Sequence, residues 1–291
     1  MTVLDRVQET LKLKEIFYNP EFILFFRVSI GIVILLHFIS YWQDFDLLYG
    51  KNSIIPIELN KAYEGTKYIT TTDILLFLEK YFTYNSSILI FKGTFAALCI
   101  CIILGFYSRV SALLLLFLQI SVVKSGIQFS YGADYFESMS LFYIIFFPSD
   151  IRFSQLNTKT RDFTIFKRTI QWHLCISYFF SGFDKILGFN WWNGESIWKA
   201  SHLPNFTRYI ELNSITDNPI VYIILGWITL IVEIFYPLFI NINRTRKVWL
   251  FLTIGMHVGI IILFNLYFFA SIMIIWNLTA YYFNYYDDEK V

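Results

Sequence analysis

The stretch Ile170 to Gly194, IQWHLCISYFFSGFDKILGFNWWNG, decides how the rest of the chain is read. It opens as an apolar, aromatic segment long enough to cross most of a bilayer, yet His173, Ser177, Ser181 and Lys185 recur along it at every fourth position. Four residues turn a helix by about 400°, so these side chains climb one slowly drifting face. Asp184 stands beside the lysine at the end of that face. A lysine at membrane depth is costly unless it is paired or faces water, which makes Lys185 the first candidate functional residue.

The surrounding chain supports a membrane setting for this stretch. Of its 291 residues, 56% are hydrophobic, 21% aromatic and only 15% charged, too little charge to cover a soluble domain of this size. Eight apolar segments approach the roughly 20 residues that span a bilayer. They are 22–42, 86–107, 109–123, 135–148, 170–187, 219–241, 248–264 and 266–283. The third and fourth are short, and the seventh and eighth nearly touch, so a tilted, re-entrant or merged segment is open. The expectation is an all-α, polytopic transmembrane bundle of about eight spans, one membrane domain over 22–283 that contacts the lipid bilayer. The net charge of +1 points to no nucleic-acid partner. Residues 1–21 mix acids and bases and lack a short apolar core with a cleavage site, so they read as a cytoplasmic lead-in. Cys99, Cys101 and Cys175 show no metal-ligand or redox spacing and read as small packing residues; no metal site is expected.

Lysine and arginine placement orients the chain. The short segments 149–169 and 242–247 are both basic, which places them, both termini and the 284–291 tail in the cytoplasm. Two long outer segments remain, 43–85 and 188–218. In the first, Thr72 or Asp73 is placed to cap a short helix carrying Ile74, Leu75, Leu78, Tyr81 and Phe82, which would lie on the membrane surface or cover the bundle. The second begins with Trp191 and Trp192, expected anchors at the water interface.

With that topology the ionisable groups gather toward the outer half. His37 falls in the outer half of the first span and Lys92 near the outer end of the second. Asp134 and Glu137 flank the outer start of the fourth, and Asp184 with Lys185 close the fifth. Glu233 and His257 lie deeper and would floor an outward-opening polar cavity. Asp184–Lys185, Glu137–Lys92 and Glu233–His257 are the natural candidate pairs, whether they serve chemistry or only fix helix register. Arg27 lies low enough to snorkel to the inner surface. Pro237 removes the amide that would bond the Glu233 carbonyl, so a kink is expected there. No G-x-S-x-G, P-loop, dinucleotide fingerprint or H-E-x-x-H occurs.

The order LLYGKNSIIP (47–56), LGFYSRVSALLLL (104–116), SYGADYFESMSLFYIIFFP (130–148) and YFFSGFDKILGFNWWNGESIW (178–198), then Glu233 and His257 in successive spans, resembles the HTTM family. That family is the membrane domain of vitamin K-dependent gamma-glutamyl carboxylases and their bacterial relatives. The resemblance runs from about 22 to 283 and is most specific in the Y-F-x-S/A-G-x-x-K-L/I…W-x-x-G block. It implies an integral-membrane enzyme that binds a reduced isoprenoid quinone at an outward-facing site, with O2 and CO2 as co-substrates. In the carboxylase the lysine of that block deprotonates the reduced vitamin; the matching position is Lys185. Asp184, Glu137, Glu233 and His257 would then tune it or relay protons. His37, Lys92, His173, Ser181, Trp191 and Trp192 are the residues expected to hold the quinone. The expected location is a bacterial inner membrane, with a periplasmic or membrane protein as partner. The alternatives are a non-catalytic membrane subunit whose polar cluster holds lipid or a partner, and a transporter.

Overall fold

The computed structural model describes residues 21–64, 68–147, 149–150, 164–203, 216 and 218–284. Residues 1–20 and 285–291 lie outside the described residues, as do 151–163 in segment 149–169 and 204–215 and 217 in segment 188–218. So do Arg152, Lys159 and Arg161, on which the orientation partly rests.

All regular structure among the described residues is helical. Eight helices of 15 residues or more coincide with the eight apolar segments. They are α1 (Glu21–Ser40), α5 (Tyr84–Leu104), α6 (Ser108–Ser125), α7 (Gly132–Phe146), α8 (Thr164–Leu187), α11 (Pro219–Ile234), α13 (Asn243–Phe264) and α14 (Tyr267–Tyr281). Shorter helices connect them: α2 (Phe45–Tyr49), α3 (Ile57–Glu64), α4 (Thr71–Glu79), α9 (Phe189–Trp192), α10 (Glu195–Ser201) and α12 (Tyr236–Phe239). Four of the long helices, α1, α5, α6 and α13, are long and apolar enough to cross a bilayer. Their outward faces carry large exposed side chains such as Leu36, Leu89, Leu104 and Phe251. The chain is an all-helical membrane protein.

One of the two shortest long helices is the central one. α14 packs against α1, α7, α8 and α13. Nine of its 15 residues are buried. At about 1.5 Å per residue it is near 22 Å long, less than a hydrocarbon core of about 30 Å. Enclosed by protein, it has no lipid boundary to match. Trp276, fully buried, donates its indole Nε1–H to Ser140 Oγ of α7 at 2.8 Å, and Gln171 of α8 donates to the Ala280 carbonyl at 2.9 Å. Such bonds fix rotation between helices where apolar contact alone would allow sliding. Arg27 donates to Ser108 Oγ of α6 at 3.1 Å and is 1% exposed, so it is buried between helices rather than snorkelling.

Two local expectations are met with a shift. α4 is capped by Thr70, not Thr72 or Asp73; Asp73 is the third residue of a reciprocal capping box. Its Leu75 is fully buried against the bundle while Leu76, Phe77, Tyr81 and Phe82 are exposed, so this helix covers the bundle and keeps an apolar outer face. α11 stops at Ile234 and resumes as α12 at Tyr236, one residue before Pro237. The Val232 carbonyl beside this break accepts the Trp249 indole N–H at 3.1 Å.

Candidate functional site

α8 and α11 run side by side, and one residue sets their spacing. A side chain at Gly182 would meet the Ile234 backbone nitrogen at 2.8 Å and Glu233 Cβ at 3.0 Å, so only glycine allows this approach. One turn further on, the close contact delivers Lys185 to Glu233. The ammonium Nζ donates to Glu233 Oε2 at 2.6 Å and to Ser181 Oγ at 2.5 Å. Trp191 places its ring 5.3 Å from the same nitrogen, within cation–π range.

Lys185 does not close the bundle. After α8 the chain folds back along α11: Gly194, at φ 79°, sits so close to Ile223 that a side chain would strike its backbone nitrogen at 2.6 Å. Helices α9 and α10 therefore form a cap over the ion pair. Beneath them lies a cavity of about 880 Å³ between α8, α11, α13 and α14. Lys185, Ser181, Glu233 and His257 open onto it, among mostly apolar side chains that include Trp191, Phe136, Phe269 and Ile197. On α13, Gly255 and Gly259 line the cavity with nothing within 4 Å of where a Cβ would stand, so that wall is open space.

A second chain of polar groups ends on His257. Tyr236 donates its hydroxyl to Asn277 Oδ1 at 2.7 Å, and Asn277 Nδ2 donates to the Tyr178 hydroxyl at 2.8 Å. The Tyr178 proton is then directed to His257 Nε2, 2.6 Å away. A neutral imidazole that accepts at Nε2 carries its proton on Nδ1, and that nitrogen is buried without a partner. The ring is thus a donor seeking an acceptor.

Several pairings expected from sequence do not form. Asp184 is exposed and makes no bond to Lys185; successive residues on a helix point about 100° apart, and Lys185 turns to Glu233. His257 meets Tyr178 rather than Glu233. Lys92 donates to the Trp42 carbonyl at 2.6 Å and lies over the Trp42 and Phe45 rings, away from Glu137. His173 bonds the Tyr143 hydroxyl at 2.7 Å and lines a separate depression with Arg168 and Trp172. Four-residue steps overshoot a full turn by about 40°, so three steps carry His173 about 120° from Lys185, and only Ser177 and Ser181 share the lysine's cavity. Trp192 donates to the Ile186 carbonyl at 2.8 Å and does not line the cavity.

The remaining polar residues form a second cluster on the α1, α6 and α7 side. His37 Nδ1 lies 2.8 Å from Glu137 Oε1, and Gln119 Nε2 donates to Glu137 Oε2 at 2.9 Å. Asp134 accepts the Tyr131 backbone N–H at 2.9 Å at the start of α7. His37 stacks on Phe268 with ring centroids 4.4 Å apart, and the adjacent Phe269 faces His257 across 5.9 Å. Beside this cluster, burial and then the negative charges of Asp134 and Glu137 push the Tyr49 phenol upward.

The chain matches no sequence family, no curated protein and no solved structure. Its site is therefore read from its own residues. Sequence reasoning passed over Tyr178, Tyr236, Gln119 and Asn277. An isolated amide in an otherwise apolar segment, as Asn277 and Gln119 are, was the available signal. Gly255 and Gly259, four apart on one helix face, were another.

Proposed function

We propose that the cavity under α9 and α10 binds a reduced isoprenoid quinone and that the Lys185–Glu233 pair takes a proton from its hydroxyl. All eight long helices cross a bacterial inner membrane in this reading, with both termini cytoplasmic and the cavity opening toward the outer side. The observation that carries it is the lining: an apolar cavity of about 880 Å³ with two convergent polar groups, Lys185–Glu233 and His257, on its wall. Ligand sites combine that size and apolarity with a few placed polar groups.

The pair assigns roles that differ from a lone lysine base. Held by Glu233 at 2.6 Å, Lys185 is the cation of an ion pair, and Glu233 is its proton-accepting member. An ammonium has three donors. Two are used on Ser181 and Glu233, which leaves the third for the quinol oxygen as negative charge develops on it. His257 also lines the cavity, with its Nε2 held by Tyr178 behind it. O2 would then carry the quinolate to an epoxide, and the strong base formed on the way would take a proton from a carbon acid of a partner protein, to whose carbanion CO2 adds.

One observation favours a second reading. A buried ion pair joining α8 to α11 also serves as a clamp, as in a non-catalytic subunit that holds lipid or a partner. Purified full-length protein given reduced menaquinone without oxygen, then exposed to air, separates the two. Epoxide measured by mass spectrometry from wild type, lost in Lys185→Met and in Gly255→Leu, is the expected result; the leucine fills open cavity space without touching the pair. If wild type binds the quinone yet yields no epoxide, the catalytic reading fails and the binding reading stands. If wild type does not bind it, both the quinone and its chemistry are wrong for this cavity.

A further inference from the structure

The second polar cluster gathers two buried carboxylates around one imidazole. Asp134 and Glu137 are 7% and 1% exposed, and the cation-capable group bonded to Glu137 is one histidine, His37. Among the described residues no lysine or arginine makes an ion pair with either carboxylate, and Lys92 is committed to the Trp42 carbonyl. Buried charges are paired or coordinate metal ions. Once ionised, two carboxylates beside a neutral imidazole would carry two negative charges, which one divalent ion cancels.

The geometry fits the same count. One ligand atom from each of His37, Asp134 and Glu137 lies within 4.8 Å of the other two, and all three residues are buried. The closest pair, His37 Nδ1 and Glu137 Oε1, is 2.8 Å apart. Two ligands each about 2.1 Å from a metal and separated by that distance subtend about 84°, close to a right-angled coordination edge. Opposite ligands on such a sphere stand about 4.2 Å apart, so a pair at the 4.8 Å limit closes by about 0.6 Å, within reach of side-chain rotation.

Gln119 supplies an independent observation. It is 1% exposed, its Nε2 rests on Glu137, and its Oε1 is buried without any partner. Exchanging the two amide atoms does not cure this, because one end of the amide then still faces no protein group. With the amide exchanged, its oxygen stands 2.9 Å from Glu137 Oε2, as the third oxygen and fourth ligand for a cation there.

We infer that His37, Asp134 and Glu137, with the amide oxygen of Gln119, bind a divalent first-row transition-metal ion. One nitrogen and three oxygens suit manganese, iron(II), cobalt or zinc better than calcium or copper(I). The ion replaces the His37–Glu137 hydrogen bond and joins α1, α6 and α7 at one point. It lies on the far side of the Phe268–Phe269 pair from the Lys185 cavity, so the inference does not depend on the proposed quinol reaction.

Tag-free full-length protein in detergent, purified without chelator, tests it by elemental analysis and by titration with Co2+ followed in the visible spectrum. The expected result is one metal equivalent per chain and a cobalt d–d band. Both fall at least tenfold in Glu137→Gln, which keeps the side chain's shape, and in His37→Gln, while Lys185→Met retains them. Chelation lowers the melting temperature of wild type and leaves that of Glu137→Gln unchanged. Absence of both metal and cobalt band in wild type overturns the site whatever the variants do. Metal retained in a monodisperse Glu137→Gln protein also overturns it, because the ion then sits elsewhere.

Discussion

The two polar clusters each combine a histidine with carboxylate, and they differ in charge balance and in what they face. On the α8, α11 and α13 side, Lys185, Glu233 and His257 stand on the wall of open space and are held by partners behind them. On the α1, α6 and α7 side, His37, Asp134, Glu137 and Gln119 are packed against one another, with aromatic rings around them. The first carries matched charges, one cation and one anion. The second carries two anions and one titratable base. Matched charge beside a void suits a neutral organic ligand. Unmatched charge without a void suits a small cation.

This contrast can be broken experimentally, and the largest effect is expected at the matched pair. Glu233→Leu strands the Lys185 ammonium and should cost about 3–5 kcal/mol. Lys185→Met should cost a similar amount by stranding Glu233. The double variant should recover most of the loss, and thermal or denaturant melts of all four proteins report the coupling. Additive losses would mean that the 2.6 Å contact contributes nothing.

The spacing of α8 and α11 comes next. Gly182→Ala places a methyl against the Ile234 nitrogen and should cost about 1–3 kcal/mol while drawing Lys185 from Glu233. Weakened quinone binding should accompany it. An unchanged melt would show that the two helices can part freely.

Asn277→Leu removes the amide that orients Tyr178 toward His257 and should cost about 1–3 kcal/mol, as buried partners are left unpaired. Trp191→Leu removes a ring at 5.3 Å from the lysine and should cost about 0.5–1 kcal/mol beyond its lost packing, measured as weaker ligand retention.

The smallest effect is expected at the residue that sequence placed beside the base. Asp184→Asn should change stability and ligand binding by less than about 0.5 kcal/mol, because the carboxylate is exposed and unpaired with Lys185. A large effect in a binding titration would restore the neighbouring aspartate as the lysine's partner.

The eight helices were legible because burying or lipid-covering an apolar segment leaves a long hydrophobic run that needs no alignment to see. The importance of Lys185 was legible for a related reason: a cation in such a run has few cheap environments. Its partner was not legible. Glu233 is 48 residues away and competed with Asp184, one residue away; only the close contact at Gly182 decides between them. The expected quinone-lining set thinned in the same way. Ser181 and Trp191 reach the cavity, whereas His37, Lys92, His173 and Trp192 turn to other partners.

The amino-acid sequence by itself determined that this chain is a helical membrane protein, where its long helices run, and that Lys185 is costly enough to demand a reason. Each follows from local composition, since hydropathy and periodicity act within a single segment. The tertiary structure alone decided that the ionisable residues split into two clusters, that one borders a void, and that His37, Asp134 and Glu137 meet. Those facts depend on the rotation and depth of helices about 100 residues apart, as His37 and Glu137 are. Rotation and depth are set by packing around α14, whose contacts no single segment encodes.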